Sequence, residues 1–105
     1  MTTHANSRVV LVLMKSPEAD ATLKVLREDQ PQLSIQDRGP YWHISGDGEI
    51  VVDLRRVGDE LGDPLTLSQW LVVMSTFVGR VETEPDYFRL TSKMLEFESS
   101  TTAAR

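Results

Sequence analysis

The stretch from Thr66 to Leu95, TLSQWLVVMSTFVGRVETEPDYFRLTSKML, constrains this chain more than any other, because a helix start, a dense apolar run and a hairpin follow one another without a linker. Thr66 and Gln69 stand at capping-box spacing, where the Thr hydroxyl takes a backbone N–H and the Gln side chain reaches back to the Thr N–H. Downstream, Leu67, Leu71, Met74 and Val78 form one helical stripe, and Trp70, Val73 and Phe77 form a second about 100° away. The spacing predicts a helix running to Val78, interrupted in its apolar surface only by Ser68, Gln69, Ser75 and Thr76. A helix this apolar is either wedged between layers of its own fold or turned toward a partner protein. Gly79, the residue best able to take a positive φ, is expected to end it. Arg80 to Glu84 and Tyr87 to Ser92 then alternate as two short strands about a Glu84-Pro85-Asp86 turn.

Upstream, Arg8 to Lys15 is nearly continuous in Val, Leu and Met, as a central strand buried on both faces would be. Ser16-Pro17-Glu18 supplies an N-cap, an N1 proline and a first-turn acid. The helix that follows turns Ala19, Leu23 and Leu26 inward, and Pro31 forces its end. Gln32 to Asp37 and Tyr41 to Ser45 alternate as strands, the second with Trp42 and Ile44 opposite Tyr41, His43 and Ser45. Gly46-Asp47-Gly48 signals a hairpin into Ile50, Val51 and Val52, so an antiparallel meander of three strands is expected. Asp53 then caps a short helix with Leu54, Val57 and Leu61 inward. The order is β-α-β-β-β-α-α-β-β, an α+β domain of about three helices packed on small mixed or antiparallel sheets. Residues 8–97 are expected to form that single domain, between a flexible arm over 1–7 and a flexible tail over 98–105.

Composition removes whole classes of function. The chain of 105 residues has no cysteine and a formal net charge of −5, which disfavours disulfides, thiolate chemistry and phosphate backbones alike. No nucleic-acid partner is expected. No apolar run approaches the ~20 residues of a bilayer span, and MTTHANSR lacks the charged and apolar regions of a signal peptide, so a cytoplasmic protein with no membrane partner is expected.

Catalytic and cofactor signals are missing as well. A di-iron carboxylate site needs Glu-x-x-His pairs, and the residues three before His4 and His43 are Met1 and Pro40. Gly46-x-Gly48 reads as a turn between strands rather than a phosphate loop. The acids Asp59, Glu60, Glu82, Glu84 and Asp86 fall on helix surfaces and turns, where nothing moves a carboxylate toward neutrality. Ser75 has no neighbouring base and no strand-to-helix elbow. No metal, no cofactor and no catalytic constellation are expected.

What remains is surface, and here the chain has a likeness. Met74 to Leu95 (MSTFVGRVETEPDYFRLTSKML), Arg8 to Lys15 (RVVLVLMK), Asp29-Gln30-Pro31 and Glu60-Leu61-Gly62-Asp63-Pro64 occur in the same order over residues 8 to 96 as in one family. Through them the sequence resembles the regulatory, or effector, proteins of bacterial multicomponent monooxygenases, the soluble di-iron enzymes that oxidise methane, alkenes, phenol and toluene. At Gln30 that family usually has Asn. The resemblance implies a cofactor-free effector or coupling subunit that binds the di-iron hydroxylase of an alkene or aromatic monooxygenase and raises turnover, coupling and selectivity. It also implies that Ser75 and Thr76, with Gly79 and Arg80 behind them, lie where the effector meets the hydroxylase above its active site. Met74 would add an adaptable contact, Arg55, Arg56 and Arg80 would add interface charges, and Gln30 is carried with them as an interface position. A local reading stands beside this one: small hydroxyls such as Ser75 and Thr76 bond back to the i−4 carbonyl of a helix, and surface arginines are commonly just solvated.

Two functions therefore enter the structural comparison. The first is the effector, with excess effector competing with ferredoxin or reductase components for hydroxylase surface. The second is a small standalone enzyme or ligand-binding α+β domain that uses the Tyr41, Trp42 and His43 strand beside a pocket.

Overall fold

The computed structural model describes residues 8–92. The expected arm over 1–7 and tail over 98–105 lie outside the described residues, as does His4. Ten elements follow in the order β1 (Arg8–Met14), α1 (Pro17–Asp29), β2 (Ser34–Arg38), β3 (Tyr41–Asp47), β4 (Glu49–Asp53), α2 (Leu54–Leu61), α3 (Leu67–Leu71), β5 (Met74–Val78), β6 (Arg80–Glu84) and β7 (Tyr87–Thr91). The α+β class with three helices holds. The strands form two antiparallel sheets, ordered β2-β3-β1-β5 in sheet 1 and β4-β7-β6 in sheet 2.

All three expected helix starts are made by the residues that mark them. The Ser16 hydroxyl accepts from Ala19 N–H, the Asp53 carboxylate accepts from Arg55 and Arg56 N–H, and Thr66 and Gln69 form the full capping box. Each satisfies donors that a first helical turn otherwise leaves open.

Strand β1 is central but buried on one face rather than both, since no layer covers Val10, Val12 and Met14 among the described residues. Two further expectations are corrected. The helix begun at Leu67 stops at Leu71, and Met74 to Val78 is a strand. Val72, Val73, Thr76 and Val78 are β-branched, so this segment favours extended backbone once a partner strand is available. That partner is β1: its terminal Met14 N–H donates to the Val73 carbonyl at 2.8 Å, and Val10 to Leu13 pair along β5. The meander is the second of these. β3 pairs with β2 and β1, while β4 pairs with β7, so Gly48 at φ 89° switches sheets instead of closing a hairpin. Gly79 makes the matching switch between β5 and β6.

The core lies between the inner faces of the two sheets and the helices. Val9, Leu11 and Leu13 of β1 are fully buried against Ile44, and Ile50, Val52, Phe88 and Leu90 come from sheet 2. Trp70 joins these layers. Its ring lies 4.8 Å from that of Phe88, and its Nε1 donates to Thr22 Oγ1 at 3.0 Å. The Thr22 hydroxyl in turn donates to the Glu18 carbonyl, so the buried polar pair is satisfied.

Candidate docking surface

β5 is an edge strand of sheet 1, and all of its residues except Met74 are exposed. Its register with β1 runs Val10↔Val78, Leu11↔Phe77, Val12↔Thr76 and then Leu13↔Met74. The slip leaves Ser75 as the extra residue of a β-bulge, a feature that bends an edge strand and re-aims its side chains. Ser75 and Thr76 therefore have no helical i−4 carbonyl to bond, and the local helical reading of their hydroxyls falls with the helix.

Strand alternation sorts the remaining residues. Val9, Leu11 and Leu13 point into the core, so Val10, Val12 and their partners Val78 and Thr76 occupy the outer face. Met74, opposite Leu13, is half-buried and packs against the core. Gly79 is buried at φ 139°, and a Cβ there would sit 2.7 Å from the Thr91 carbonyl oxygen. Only glycine fits this crossing between sheets, which fixes where β5 stands relative to β6. Arg80 follows it and is exposed, with no carboxylate partner among the described residues.

The structure gathers Met74, Ser75, Thr76, Gly79 and Arg80 into one segment but separates the other sequence-derived candidates. Arg56 pairs with Glu28 and Asp29 at the end of α1, and these partners raise its pKa, Asp29 foremost. Arg55 is exposed beside Asp86 in a groove of about 450 Å³ lined also by Asp59, Asp63 and Pro85. Gln30 is committed to the fold: its Nε2 donates to the Glu49 carbonyl at 3.1 Å and its Oε1 accepts from Val51 N–H at 2.7 Å. A side-chain amide thus occupies two backbone groups on the open edge of β4 and ties α1 to sheet 2.

The outer face of sheet 1 carries a feature that residue types alone did not reveal. Six large apolar side chains are exposed among the described residues, and by register Met14, Tyr41 and Val78 stand on this face; Phe77, opposite Leu11, does not, while Leu71 ends α3 and Val72 leads from it into β5. The alternation in β3 was readable, whereas β1, continuous in Val, Leu and Met, read as buried on both faces and is buried on one. Which strand lay beside β1 was not readable, and only that neighbour makes the patch continuous.

Two grooves among the described residues lie away from the Tyr41, Trp42 and His43 strand. Neither the groove beside Arg55 nor a smaller one of about 320 Å³ along Val51, Asp53 and Arg89 is lined by Tyr41, Trp42 or His43. Trp42 is half-buried under the Lys15 ammonium, 4.6 Å from the ring centre. His43 stands on the outer face with its Nδ1 shielded from solvent and without a hydrogen bond, and burial, then Arg38 and Arg8, lower its pKa. Among the described residues no group of three or more His, Asp or Glu could hold a metal ion, and no helix is long and apolar enough to cross a membrane.

Comparison with known proteins points one way. The sequence profile of the MmoB/DmpM family matches residues 7–91. The chain is 35% identical over 104 residues to methane monooxygenase regulatory protein B of Methylosinus trichosporium, covering 94% of this chain and 75% of that one. It is 33% identical over 98 residues to the protein of the same name from Methylococcus capsulatus (strain ATCC 33009 / NCIMB 11132 / Bath), covering 88% and 70%. Among solved structures, the soluble methane monooxygenase regulatory protein B superposes with a TM-score of 0.69 at 32% identity over 88% of this chain and 70% of that one. A chain of a phenol hydroxylase–regulatory protein complex shares the fold, with a TM-score of 0.73 at 19% identity over 80% and 97%.

Proposed function

Since this chain belongs to the MmoB/DmpM family, we propose that it is the regulatory, or effector, subunit of a soluble di-iron monooxygenase acting on an alkene or aromatic substrate. It carries out no chemistry itself. It binds the hydroxylase through β5 and favours one conformation of that partner, raising turnover, coupling and selectivity. A subunit of this kind shifts its partner only by binding one conformer more tightly than another; a tenfold preference is worth about 1.4 kcal/mol.

The observation that carries the reading is the likeness to monooxygenase regulatory proteins across nearly the whole chain. Locally, Ser75 and Thr76 support it by standing exposed on a bulged edge strand, where neither serves the core. Arg80 and Arg55 are exposed, with no ion pair among the described residues, and would meet partner carboxylates at the rim of the contact. Gln30 and Arg56, held within the fold, would act by keeping α1, α2 and β4 in place behind that surface. At high concentration the effector competes with the ferredoxin or reductase for hydroxylase surface, so turnover passes through a maximum as effector is added; a monotonic curve would remove that competition.

The test is hydroxylase turnover and product ratio across a full titration with this protein, where no change in either would sink the proposal. Thr76→Tyr sharpens it. Added bulk on the outer face should lower activation about tenfold or more while stability stays within about 0.5 kcal/mol. Equal loss of both would place Thr76 among structural residues.

A further inference from the structure

We propose that the hydroxylase seats flat on the outer face of the four-stranded sheet, across β5, β1 and the start of β3, and that the partner surface is apolar at its centre with carboxylates at its rim. This rests on the effector reading above and extends the contact well beyond β5.

Register makes the strip continuous. Thr76 and Val78 on β5 lie beside Val12 and Val10 on β1, and Met14 at the end of β1 lies beside Tyr41 on β3. Cross-strand neighbours on one face stand about 5 Å apart, so these side chains form one surface two strand spacings wide. Val78, Met14 and Tyr41 remain 50%, 41% and 38% exposed, and no helix among the described residues packs over them. An apolar strip left open on a sheet face marks a contact with another protein.

Charge selects the partner's chemistry. In a chain of net charge −5, this face bears two arginines and a single carboxylate. Arg8 stands at one end of the strip, near Asp47 at 3.9 Å and donating to Ser45 Oγ at 2.8 Å. Arg38 stands at the other end beside Tyr41, its guanidinium held by Gln36. Rim charges of this kind steer association and set its salt dependence, while apolar residues at the centre supply affinity. Beyond Arg80, which adjoins β5, the outer face of sheet 2 carries Glu49, Asp53, Glu82 and Glu84 against an already paired Arg89, and does not fit the same partner.

Calorimetric titration of the intact hydroxylase with wild-type protein, Tyr41→Glu, Thr76→Tyr and Glu84→Gln, each checked by thermal unfolding, tests the inference. Tyr41 lies across β1 from β5, so its loss reports the extended contact alone. Tyr41→Glu should raise Kd about tenfold or more at unchanged unfolding temperature, and Glu84→Gln on sheet 2 should bind as wild type. A photo-reactive p-benzoylphenylalanine replacing Tyr41, which keeps an aromatic side chain, should crosslink to the hydroxylase. If Thr76→Tyr weakens binding while Tyr41→Glu binds as wild type and position 41 does not crosslink, the extended face is overturned and the effector reading stands. Wild-type protein that fails to bind the hydroxylase overturns both.

Discussion

The outer faces of the two sheets are built on the same principle and finished in opposite ways. Both belong to short antiparallel sheets whose inner faces share one core. Sheet 1 presents Val10, Val12, Met14, Tyr41, Thr76 and Val78. Sheet 2 presents three cross-strand rows, Glu49-Thr91-Arg80, Val51-Arg89-Glu82 and Asp53-Tyr87-Glu84, with Arg89 bridging Glu49 at 2.9 Å and Glu82 at 2.8 Å. Charges along its strands and the Gln30 clamp on β4 discourage pairing with another chain. Sheet 1 lacks such protection on β5. The contrast is what the proposed docking on sheet 1 rests on.

The largest perturbation should abolish the contrast altogether. Trp70 is fully buried, contacts Phe88 of sheet 2 and bonds Thr22 of α1, while its own helix leads directly into β5. Trp70→Ala removes a large core side chain and leaves the Thr22 hydroxyl without its donor, at a cost of about 3–5 kcal/mol. Denaturant unfolding should show one cooperative transition at lower midpoint, because both sheets depend on the same residue. Separate transitions for the two sheets would mean that their outer faces can be treated as independent units.

How much of this arrangement was legible follows from the range of the interaction responsible. The caps at Ser16, Asp53 and Thr66 were readable because each is satisfied within three residues. The β6–β7 hairpin was readable for the same reason, through its Glu84-Pro85-Asp86 turn. Met74 to Val78 was misread as helix because a short apolar run satisfies both periodicities, and the deciding partner, β1, lies some sixty residues away in sequence. The β-branched Val72, Val73, Thr76 and Val78 were the available signal. Gly46-Asp47-Gly48 had the composition of a hairpin turn, yet the neighbour of β4 is β7, which no local pattern announces. At the candidate site, Ser75, Thr76, Gly79 and Arg80 came from family likeness, while the bulge at Ser75 and the breadth of the apolar face needed the strand order.

A smaller effect sharpens the comparison from the other side. Arg89→Met removes both ion pairs from the outer face of sheet 2, and all three partners are substantially exposed. Exposed pairs contribute about 0.2–1 kcal/mol after screening and side-chain entropy. The variant should therefore lose no more than about 1–2 kcal/mol for the two pairs, with a weaker salt dependence of unfolding than wild type. Hydroxylase activation should be unchanged. A large drop in activation with the fold intact would show that the ion-paired face also docks, and the division of labour between the sheets would be lost.

The smallest effect concerns protons, and it too separates the faces. His43 stands on the outer face of sheet 1 between Val12 and Gln36, whereas no histidine lies on sheet 2. Burial is the main cause of its lowered pKa, with Arg38 and Arg8 adding repulsion. Below the ordinary histidine value of 6.5, the unfolded chain takes up a proton that the folded chain resists. The stability due to neutral His43 is therefore complete above that value and is lost as pH falls through the lowered folded value. His43→Gln should flatten the decline in unfolding temperature that sets in below about pH 6.5, without altering the steeper loss at carboxylate pH. If the parent and variant curves superpose below that pH, the imidazole is as freely solvated as in the unfolded chain, and the outer face of sheet 1 is more open around β3 than its buried Nδ1 implies.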